Sequence, residues 1–379
     1  MLSRIAVVTS DVFVRRLTPA LAAFVRERRE FRIIDIHRPW SELRSIIRAC
    51  RPEAVIVESL PTVTAAVVRL GYPTVIAVGD TMYRGAVSID VDDAAVGVEA
   101  ARFFQQSGYR HFACVHLRTA YGAQRLAGFR ETLAREGHHC ETFHHAAQPG
   151  RNYMESWRDR QPALREWLRR IPKPAGIFAV HDPLGRTVCE AAHEAGIQVP
   201  DEIAVVGANN DELVSGLTYP PLSSVAIPWE QIGALAGRWA QRLLDGESAP
   251  KRPLIVPPGP VVVRQSTALT AVADPELRRV LRHLRANAAT DLTIASVCRA
   301  LRLSRRSVER KFSALLQSTP WETLCRMRSE SAKRLLVETD LPMSLVAERS
   351  GFGSAERLSV VFRRTAGMSP SAYRRAARR

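Results

Sequence analysis

Short apolar runs rich in Val and Ile recur through the first 210 residues of this 379-residue chain, and they are absent beyond residue 270. Near-continuous apolar runs are typical of parallel strands that are covered on both faces. Amphipathic stretches with apolar residues at helical spacing lie between the runs, so the alternation predicts an α/β doubly wound fold. The predicted strands are IAVVTS (5–10), FRIIDI (31–36), AVIVES (54–59), TVIAVG (74–79), HFACVH (111–116), GIFAVH (176–181) and IAVVGA (203–208).

Two changes of pattern predict the domain organisation. A second set of strands begins after residues 85–95, which indicates two α/β lobes. The Pro- and Gly-rich stretch 248–263 interrupts helical structure and is expected to carry a final strand. From Asp274 onward the pattern predicts one helix after another. The expected domains are therefore a two-lobed α/β domain at 1–268 and an all-α domain at 274–379.

Positive charge is concentrated in the predicted helical domain. Residues 271–379 contain 22 Lys and Arg against 10 Asp and Glu, within a whole-chain net charge of +16. A basic domain favours a polyanionic partner, because each neutralised phosphate releases condensed counterions. A solvated Arg-rich surface would have the same composition, so charge alone leaves both interpretations open.

Several classes of protein are disfavoured by missing patterns. No run approaches the roughly 20 apolar residues that cross a bilayer, and the N-terminal residues lack the order of a signal peptide, so we expect a cytoplasmic, nucleoid-associated protein without a membrane partner. The six scattered cysteines form no CxxC and are expected to be buried or inert. GxSxG, GxGxxG and P-loop motifs are absent, so we predict neither an enzyme nor a cofactor.

The helical domain contains an internal repeat. Segment 291–312 resembles segment 340–362, and each predicts a short helix, a tight turn, a Ser that caps the next helix, and a second helix. The matched residues are Asp291, Leu292 and Val297 with Asp340, Leu341 and Val346 at an offset of 49, and Ser304, Val308 and Phe312 with Ser354, Leu358 and Phe362 at an offset of 50. This is the anatomy of a helix-turn-helix, whose second helix enters the major groove of DNA.

The second helix of each repeat carries polar and basic residues on the face opposite its apolar residues. Arg can donate to O6 and N7 of guanine, and Glu can accept from N4 of cytosine. Core packing would explain the apolar positions but not this basic face, so we favour double-stranded DNA as the partner. The candidate DNA-binding residues are Arg305, Arg306, Ser307, Glu309, Arg310, Ser354, Glu356, Arg357, Ser359, Arg363 and Arg364.

Segment 351–375, GFGSAERLSVVFRRTAGMSPSAYRR, resembles the signature of the AraC/XylS family of transcription regulators. The resemblance covers about 100 residues and implies that one long helix, here about 321–337, joins two helix-turn-helix motifs. In this family the two recognition helices lie in successive major grooves. The chain departs from the family at Gln317, where Gly is usual, and at Val360, where some relatives carry Arg.

Residues 1–265 resemble the sugar-binding core of LacI/GalR repressors and periplasmic binding proteins, chiefly through segments 179–211 and 221–246. The resemblance implies a small sugar bound between the lobes where the carboxyl ends of strands meet, and the joining of this core to an AraC-type end favours xylose or another pentose. His181 and Asn209 depart from the family pattern, so the identity of the sugar stays open. The candidate effector-binding residues are Phe13, Arg15, Asp92, Arg125, Asp182 and Asn209.

Together these patterns predict a sugar-controlled, sequence-specific transcription regulator of a sugar-catabolic operon. Activation is the expected output, with a homodimer as the working form and RNA polymerase as a candidate partner. A ligand-independent architectural DNA-binding protein and an α/β enzyme domain fused to a DNA-binding domain remain the alternatives. His138, His139, His144 and His145 resemble a metal cluster, but no carboxylate pattern accompanies them, so an exposed loop is expected and no metal site.

Overall fold

The computed structural model describes residues 3–25, 29–79, 81–145, 153–267 and 274–377. The chain divides into two compact units, Met1–Thr267 and Ala268–Arg379. No helix of the described residues combines the length and the apolar character that a bilayer crossing requires.

The first unit alternates strands and helices. In chain order its elements are β1 Ser3–Thr9, α1 Asp11–Val25, β2 Arg29–Asp35, α2 Trp40–Cys50, β3 Ala54–Glu58, α3 Pro61–Val68, β4 Thr74–Ala77, β5 Ala86–Val91, α4 Asp93–Gln106, β6 His111–His116, α5 Ala120–Arg135, β7 Cys140–His144, α6 Tyr153–Arg170, β8 Ala175–Ala179, α7 Asp182–Glu194, β9 Ile203–Asn209, α8 Glu212–Leu217, β10 Ser223–Ala226, α9 Trp229–Leu244, β11 Leu254–Val256 and β12 Val261–Val262.

These strands form two six-stranded sheets, one in each lobe. The first has the order β11-β5-β4-β3-β1-β2 and is parallel throughout. The second has the order β12-β10-β9-β8-β6-β7 and is parallel except for β12. The α/β doubly wound fold predicted from the apolar runs is therefore confirmed, and all seven predicted strands are present.

The chain passes between the lobes three times: from β5 to α4, from β10 to α9, and from β11 to β12. Helix α9 returns to the first lobe, where it packs on α1, β3 and β4. Strands β5 and β10 therefore end at the lobe junction. Residues that immediately follow them are placed beside any cleft between the lobes.

Three strands, β5, β7 and β10, are not predicted by the sequence, because polar residues interrupt their apolar signal. Strand β10 has the sequence SSVA, and β7, CETFH, is an edge strand with exposed residues. Hydrogen bonds to neighbouring strands of the same sheet, rather than hydrophobic side chains, define such strands. The final strand expected within 248–263 is two short strands, β11 and β12, which belong to different sheets.

The second unit consists of helices. They are α10 Pro275–Asn287, α11 Ile294–Leu301, α12 Arg305–Leu316, α13 Pro320–Glu338, α14 Met343–Arg349, α15 Ala355–Ala366 and α16 Pro370–Ala377. One apolar core forms among α10, α11, α12 and the start of α13, around Phe312. Another forms among the end of α13, α14, α15 and α16, around Phe362. The long helix α13 contributes to both cores and joins two subdomains.

The junction of these subdomains is tightly packed around Arg328 of α13. The Arg328 side chain is buried, and it donates to the carbonyl oxygens of Ala288 and Thr290, each at 2.8 Å. Gly351 has a φ of +82°, and a Cβ atom there would lie 2.1 Å from the Ala288 carbonyl oxygen. Only glycine satisfies both the backbone angle and this close approach.

The six cysteines are free, and five of them are buried. Burial raises the pKa of the Cys140 thiol to about 12, so this thiol is protonated at neutral pH. The buried thiols therefore act as small apolar side chains.

Candidate functional sites

A cavity of about 600 Å³ lies between the two lobes of the first unit. Its volume falls within the range of small-molecule sites. The first lobe contributes Phe13, Arg16, Ser59, Leu60, Val78, Gly79, Thr81 and Asp90; the second contributes Thr119, Ala120, Tyr121, Arg125, His181, Pro183 and Asn209; and the lobe connections contribute Asp93 and Trp229.

Arg125 of α5 is the central charged group of this cavity. Its side chain is 5% exposed, and its Nε donates to the Asp93 carboxylate at 2.7 Å. One terminal nitrogen, Nη1, donates to the Val180 carbonyl at 2.7 Å and to the Asn209 Oδ1 at 3.2 Å. The other, Nη2, has no hydrogen-bond partner among the residues that the structure describes. A buried guanidinium with a fixed orientation and a spare donor is suited to bind an oxygen of a ligand.

Two glycines bring α4 and α5 close enough for this contact. A Cβ atom at Gly97 would lie 2.0 Å from the Arg125 carbonyl oxygen, and one at Gly128 would lie 2.0 Å from the Ala94 carbonyl oxygen. The close helix pair carries Asp93 and Arg125 to the same edge of the cavity. Larger residues at either position would separate the ion pair.

Aromatic side chains form another wall of the cavity. The rings of Phe13 and Trp229 meet edge to face, with centroids 5.3 Å apart. The Trp229 indole N–H donates to the Asn209 carbonyl oxygen at 3.0 Å, so the ring is fixed in position. On the other side, Tyr121 lies 5.1 Å from the Arg125 guanidinium carbon. Such faces can pack against the C–H surface of a sugar ring.

An ion pair joins the lobes at the rim of the cavity. Arg16 of α1 donates to the Asp211 carboxylate at 2.8 Å, and both side chains are largely buried. The Arg16 guanidinium carbon also lies 4.9 Å from the centre of the Trp229 ring. Asp211 caps α8 with its other carboxylate oxygen. Burial alone would raise the pKa of the Asp211 carboxyl, but the hydrogen bond and charge of Arg16, together with the backbone N–H groups of Val214 and Leu213, outweigh burial and lower the pKa, so this carboxyl is ionised at neutral pH.

His181 presents one ring nitrogen to the cavity. Its Nδ1 accepts a hydrogen bond from the Leu184 backbone N–H at 3.1 Å and caps α7. Burial lowers the pKa of His181 to about 4, so the ring is neutral at pH 7. The hydrogen bond at Nδ1 assigns the ring proton to Nε2. His181 therefore offers a hydrogen-bond donor.

The loop after β4 reaches the cavity in a strained conformation. Val78 has a φ of +59°, which is unusual for a β-branched residue. Its backbone N–H donates to the Ile89 carbonyl at 2.7 Å, and this bond helps to hold the loop against β5. Strain of this kind, of order 1–3 kcal/mol, is concentrated at functional sites in proteins.

The structure brings three of the six predicted effector residues to the cavity wall, namely Phe13, Arg125 and Asn209. Asp92 instead caps α4, since its carboxylate accepts from the Ala95 N–H at 2.9 Å. Arg15 lines a neighbouring depression beside Gln231, which Arg16 and Trp229 also border, and it does not reach the cavity because successive helical residues point about 100° apart.

The remaining predicted residue, Asp182, lies behind the cavity wall. It is fully buried, and it accepts from the Asp211 N–H at 2.7 Å and the Ser224 hydroxyl at 2.5 Å. Burial raises the pKa of the Asp182 carboxyl to about 7. Its position supports the loop that carries Asp211 rather than direct contact with a ligand.

Sequence analysis missed Arg16, Trp229 and His181 as cavity residues. Trp229 follows β10 as Phe13 follows β1, so an aromatic residue shortly after a strand is the sequence signal that could have identified Trp229 as a cavity residue. Arg16 could be distinguished from Arg15 only by the rotation of α1. His181 departs from the family pattern, and this departure is the sequence signal that marks it.

The four histidines near residue 140 do not form an exposed loop, which corrects that expectation. His144 belongs to strand β7 and its ring packs on His116, while His145 is buried. His138 packs on Phe112. Within the described ranges, no group of three or more His, Cys, Asp or Glu side chains could hold a metal ion.

The second unit contains two helix-turn-helix motifs, α11–α12 and α14–α15. Ser304 and Ser354 cap their second helices by accepting from the backbone N–H groups of Ser307 and Arg357. Eight of the predicted DNA-binding residues are exposed, namely Arg305, Arg306, Glu309, Arg310, Glu356, Arg357, Arg363 and Arg364; Ser307, Ser354 and Ser359 are partly buried.

Two contacts of α12 restrict its exposed face. Arg305 donates to the Glu309 carboxylate at 2.7 Å, so each screens the charge of the other. Ser307 donates weakly to Glu276 at 3.3 Å, which turns its hydroxyl toward α10. Arg306 and Arg310 have no such partner among the described residues, and they are the freer donors of this helix.

Comparison with known proteins agrees with both units. A family model described as "Periplasmic binding protein-like domain" matches residues 101–267, and one described as "Helix-turn-helix domain" matches residues 297–376. The chain therefore combines a periplasmic-binding-protein-like region with a helix-turn-helix domain, and in this combination it is similar to transcription regulators of the AraC type.

Among its relatives is the xylose operon regulatory protein of Escherichia coli K12, which is 28% identical over 290 residues, covering 76% of this chain and 73% of that protein. The structure of the xylose-binding transcription activator XylR matches with a TM-score of 0.76 and 23% identity over 99% of both chains. A periplasmic binding protein/LacI transcriptional regulator from Alkaliphilus metalliredigens, complexed with D-xylulofuranose, matches 71% of this chain and all of that one, with a TM-score of 0.59 and 14% identity. At these identities the two structures establish a shared fold.

Proposed function

We propose that this protein controls transcription of a sugar-catabolic operon in response to a small sugar, xylose or another pentose, bound between its N-terminal lobes. The observation that carries the proposal is the cavity that contains Arg125. It combines a buried, oriented guanidinium with aromatic walls, and it belongs to the same chain as two DNA-binding motifs. The names of the xylose regulators that resemble the chain support a pentose.

The chemistry of the cavity suits a polyol. A sugar needs hydrogen-bond donors and acceptors in fixed positions and an apolar face for its C–H groups. Arg125 Nη2 and His181 Nε2 are donors, the carboxylates of Asp90 and Asp93 are acceptors, and Trp229 offers an aromatic surface. A strongly charged ligand would meet charges of both signs here, so a neutral ligand is the better match.

Lobe closure provides a route from sugar binding to DNA. The Arg16–Asp211 ion pair joins the lobes, so it belongs to the closed conformation and weakens as they separate. A sugar that contacts both lobes binds this conformation more tightly and therefore shifts the population toward it. We propose that closure rearranges a homodimer and places the paired DNA-binding units for activation, with RNA polymerase as the downstream partner.

Calorimetric titration of the full chain with D-xylose, L-arabinose, D-ribose and D-glucose tests the sugar assignment. We expect saturable heat with at least one pentose and a change in operator footprint at the same concentrations. Absence of heat and of any thermal shift with all four sugars would refute it. In that case, a footprint that forms without any sugar would identify the chain as a ligand-independent DNA-binding protein.

A variant pair locates the binding site. Arg125→Lys retains the charge but loses the planar fork, and we expect roughly tenfold to a hundredfold weaker sugar binding. The matched control is Arg186→Lys on the exposed face of α7, where Arg186 pairs with Glu190. Equal affinities in the two variants would place the sugar elsewhere.

A further inference from the structure

We propose that Val360, on the second recognition helix α15, contacts the 5-methyl group of a thymine in the major groove and so makes thymine a preferred base for this motif. This deepens the proposed function, on which it depends, because it names what one of the two DNA-binding motifs recognises. Val360 is not among the residues predicted from sequence to bind DNA.

Val360 is an apolar side chain without a packing role. It is 71% exposed, whereas its neighbours Leu358 and Phe362 are fully buried and Val361 packs against the same core. A β-branched residue is also a weaker helix former than Ala. Neither the core nor the helix therefore explains a valine at this position.

The neighbours of Val360 place it within the DNA-facing surface. Glu356, Arg357, Arg363 and Arg364 are exposed, and their spacing of three to four residues from Val360 puts them on the same face of α15. A single apolar side chain surrounded by arginines is too small for a protein interface, which buries many residues. The same arrangement suits DNA, where arginines bind phosphates and a small apolar group meets a base.

Comparison with the first recognition helix identifies the base. With the offset of 50 between the repeats, Val360 of α15 is equivalent to Arg310 of α12, and Glu356 is equivalent to Arg306. Arginine at both positions of α12 favours guanine through O6 and N7. Glutamate accepts from cytosine N4, and a hydrocarbon side chain contacts the thymine methyl. The two motifs should therefore read different bases, with guanines at α12 and a thymine and a cytosine at α15.

The experiment starts from a binding site chosen by the protein itself. The full chain selects duplexes from a random library at fixed salt, and each thymine of the selected site is then replaced singly by deoxyuridine, which removes only the methyl group. We expect one replacement, in the half of the site covered by α15, to weaken binding about threefold to fivefold, the effect of about one buried methyl group.

The Val360→Ala variant completes a double-mutant cycle with the same duplexes. In this variant, replacing that one thymine by deoxyuridine should no longer weaken binding, and all other base preferences should be retained. Val337→Ala is the matched control, because Val337 is an exposed valine of α13 outside both motifs. Alanine favours helix at an exposed site, so both variants should fold, and thermal melting checks this. Val360→Arg should change the preferred base at that position from thymine to guanine.

The possible outcomes separate the inference from the function. If a site is selected but the deoxyuridine effects are the same in the original protein and Val360→Ala, Val360 does not read a methyl group and the inference is wrong. If no sequence is selected at all, the proposed sequence-specific function fails and the inference fails with it. If deoxyuridine weakens the binding of the original protein and of Val337→Ala but not of Val360→Ala, the result supports the thymine contact and the sequence-specific function together.

Discussion

The two units of this protein each join a pair of subdomains, and they do so by opposite means. The lobes of the N-terminal unit meet across a cavity of about 600 Å³ and share the Arg16–Asp211 ion pair at its rim. The subdomains of the C-terminal unit share the helix α13, and at their junction Arg328 and Gly351 leave no free space. A junction with a cavity can open and close, whereas a close-packed one transmits motion as a rigid body.

This difference matches the two tasks that we propose for the protein. An effector site needs two conformations that differ in affinity for the ligand. Two recognition helices that bind one face of DNA need a fixed separation, because their grooves are a fixed distance apart. Variants at each junction should therefore have different consequences, and we expect the largest losses of stability at the close-packed junction of the C-terminal unit.

Gly351→Ala should have the largest effect. The new Cβ would clash with the Ala288 carbonyl oxygen, and the left-handed backbone adds further strain. We expect the C-terminal unit to lose roughly 3 kcal/mol or more of stability, measured by chemical unfolding. Gly353→Ala is the control, since Gly353 has a φ of +74° but open space around it, and it should lose only about 1–2 kcal/mol. Equal losses would show that the junction is not closely packed.

Arg328→Gln should be the next most disruptive. It removes the donors to the part-buried carbonyl oxygens of Ala288 and Thr290 and takes a buried charge out of the junction. We expect a loss of about 2–4 kcal/mol in unfolding experiments, with DNA affinity falling more for sites that span two grooves than for single half-sites. Arg334→Gln on the exposed side of the same helix should change neither quantity. A uniform loss of affinity for both kinds of site would argue against a role in spacing.

Asp182→Asn should change the pH dependence of the N-terminal unit. The pKa of Asp182 is raised to about 7, so its stabilising effect is fully present below pH 4 and is lost as pH rises toward 7. The variant lacks this titration. Its melting temperature minus that of the original protein should therefore increase from pH 4 to pH 7, as measured by differential scanning calorimetry. A constant difference would mean that the carboxyl titrates normally.

Asp211→Asn should have the smallest effect, and this effect should be confined to the affinity for the sugar. Asparagine can still cap α8, but it loses the charge that pairs with Arg16. Both side chains are largely buried but keep some contact with solvent at the rim of the cavity, so we expect a change of about 1 kcal/mol, or roughly fivefold weaker sugar binding. Calorimetry with the best-binding pentose measures it, and combining the variant with Arg16→Gln should add little. An additive double variant would show that the two residues do not act together.

The fold was largely predictable because its signals are local. Apolar runs such as AVIVES and IAVVGA identified parallel strands, and the repeat of segments 291–312 and 340–362 identified two helix-turn-helix motifs. Strands such as β10, which depend on pairing with neighbours, were missed. The predicted effector residues were placed near the correct edge of the sheets, but only three of six line the cavity.

The sequence by itself determined the class of protein, since periodic patterns and the spacing of Gly, Ser and Arg are preserved in the linear chain. The tertiary structure alone decided which of two adjacent residues enters a site: Arg16 rather than Arg15, and His181 rather than Asp182. It also showed that Val360 is exposed while Val361 is packed. The physical reason is that a helix turns by about 100° at each residue, so neighbours in α1 and in α15 face different surroundings. Between His181 and Asp182 the backbone passes from an extended cap into helix α7, which also turns the two side chains in different directions.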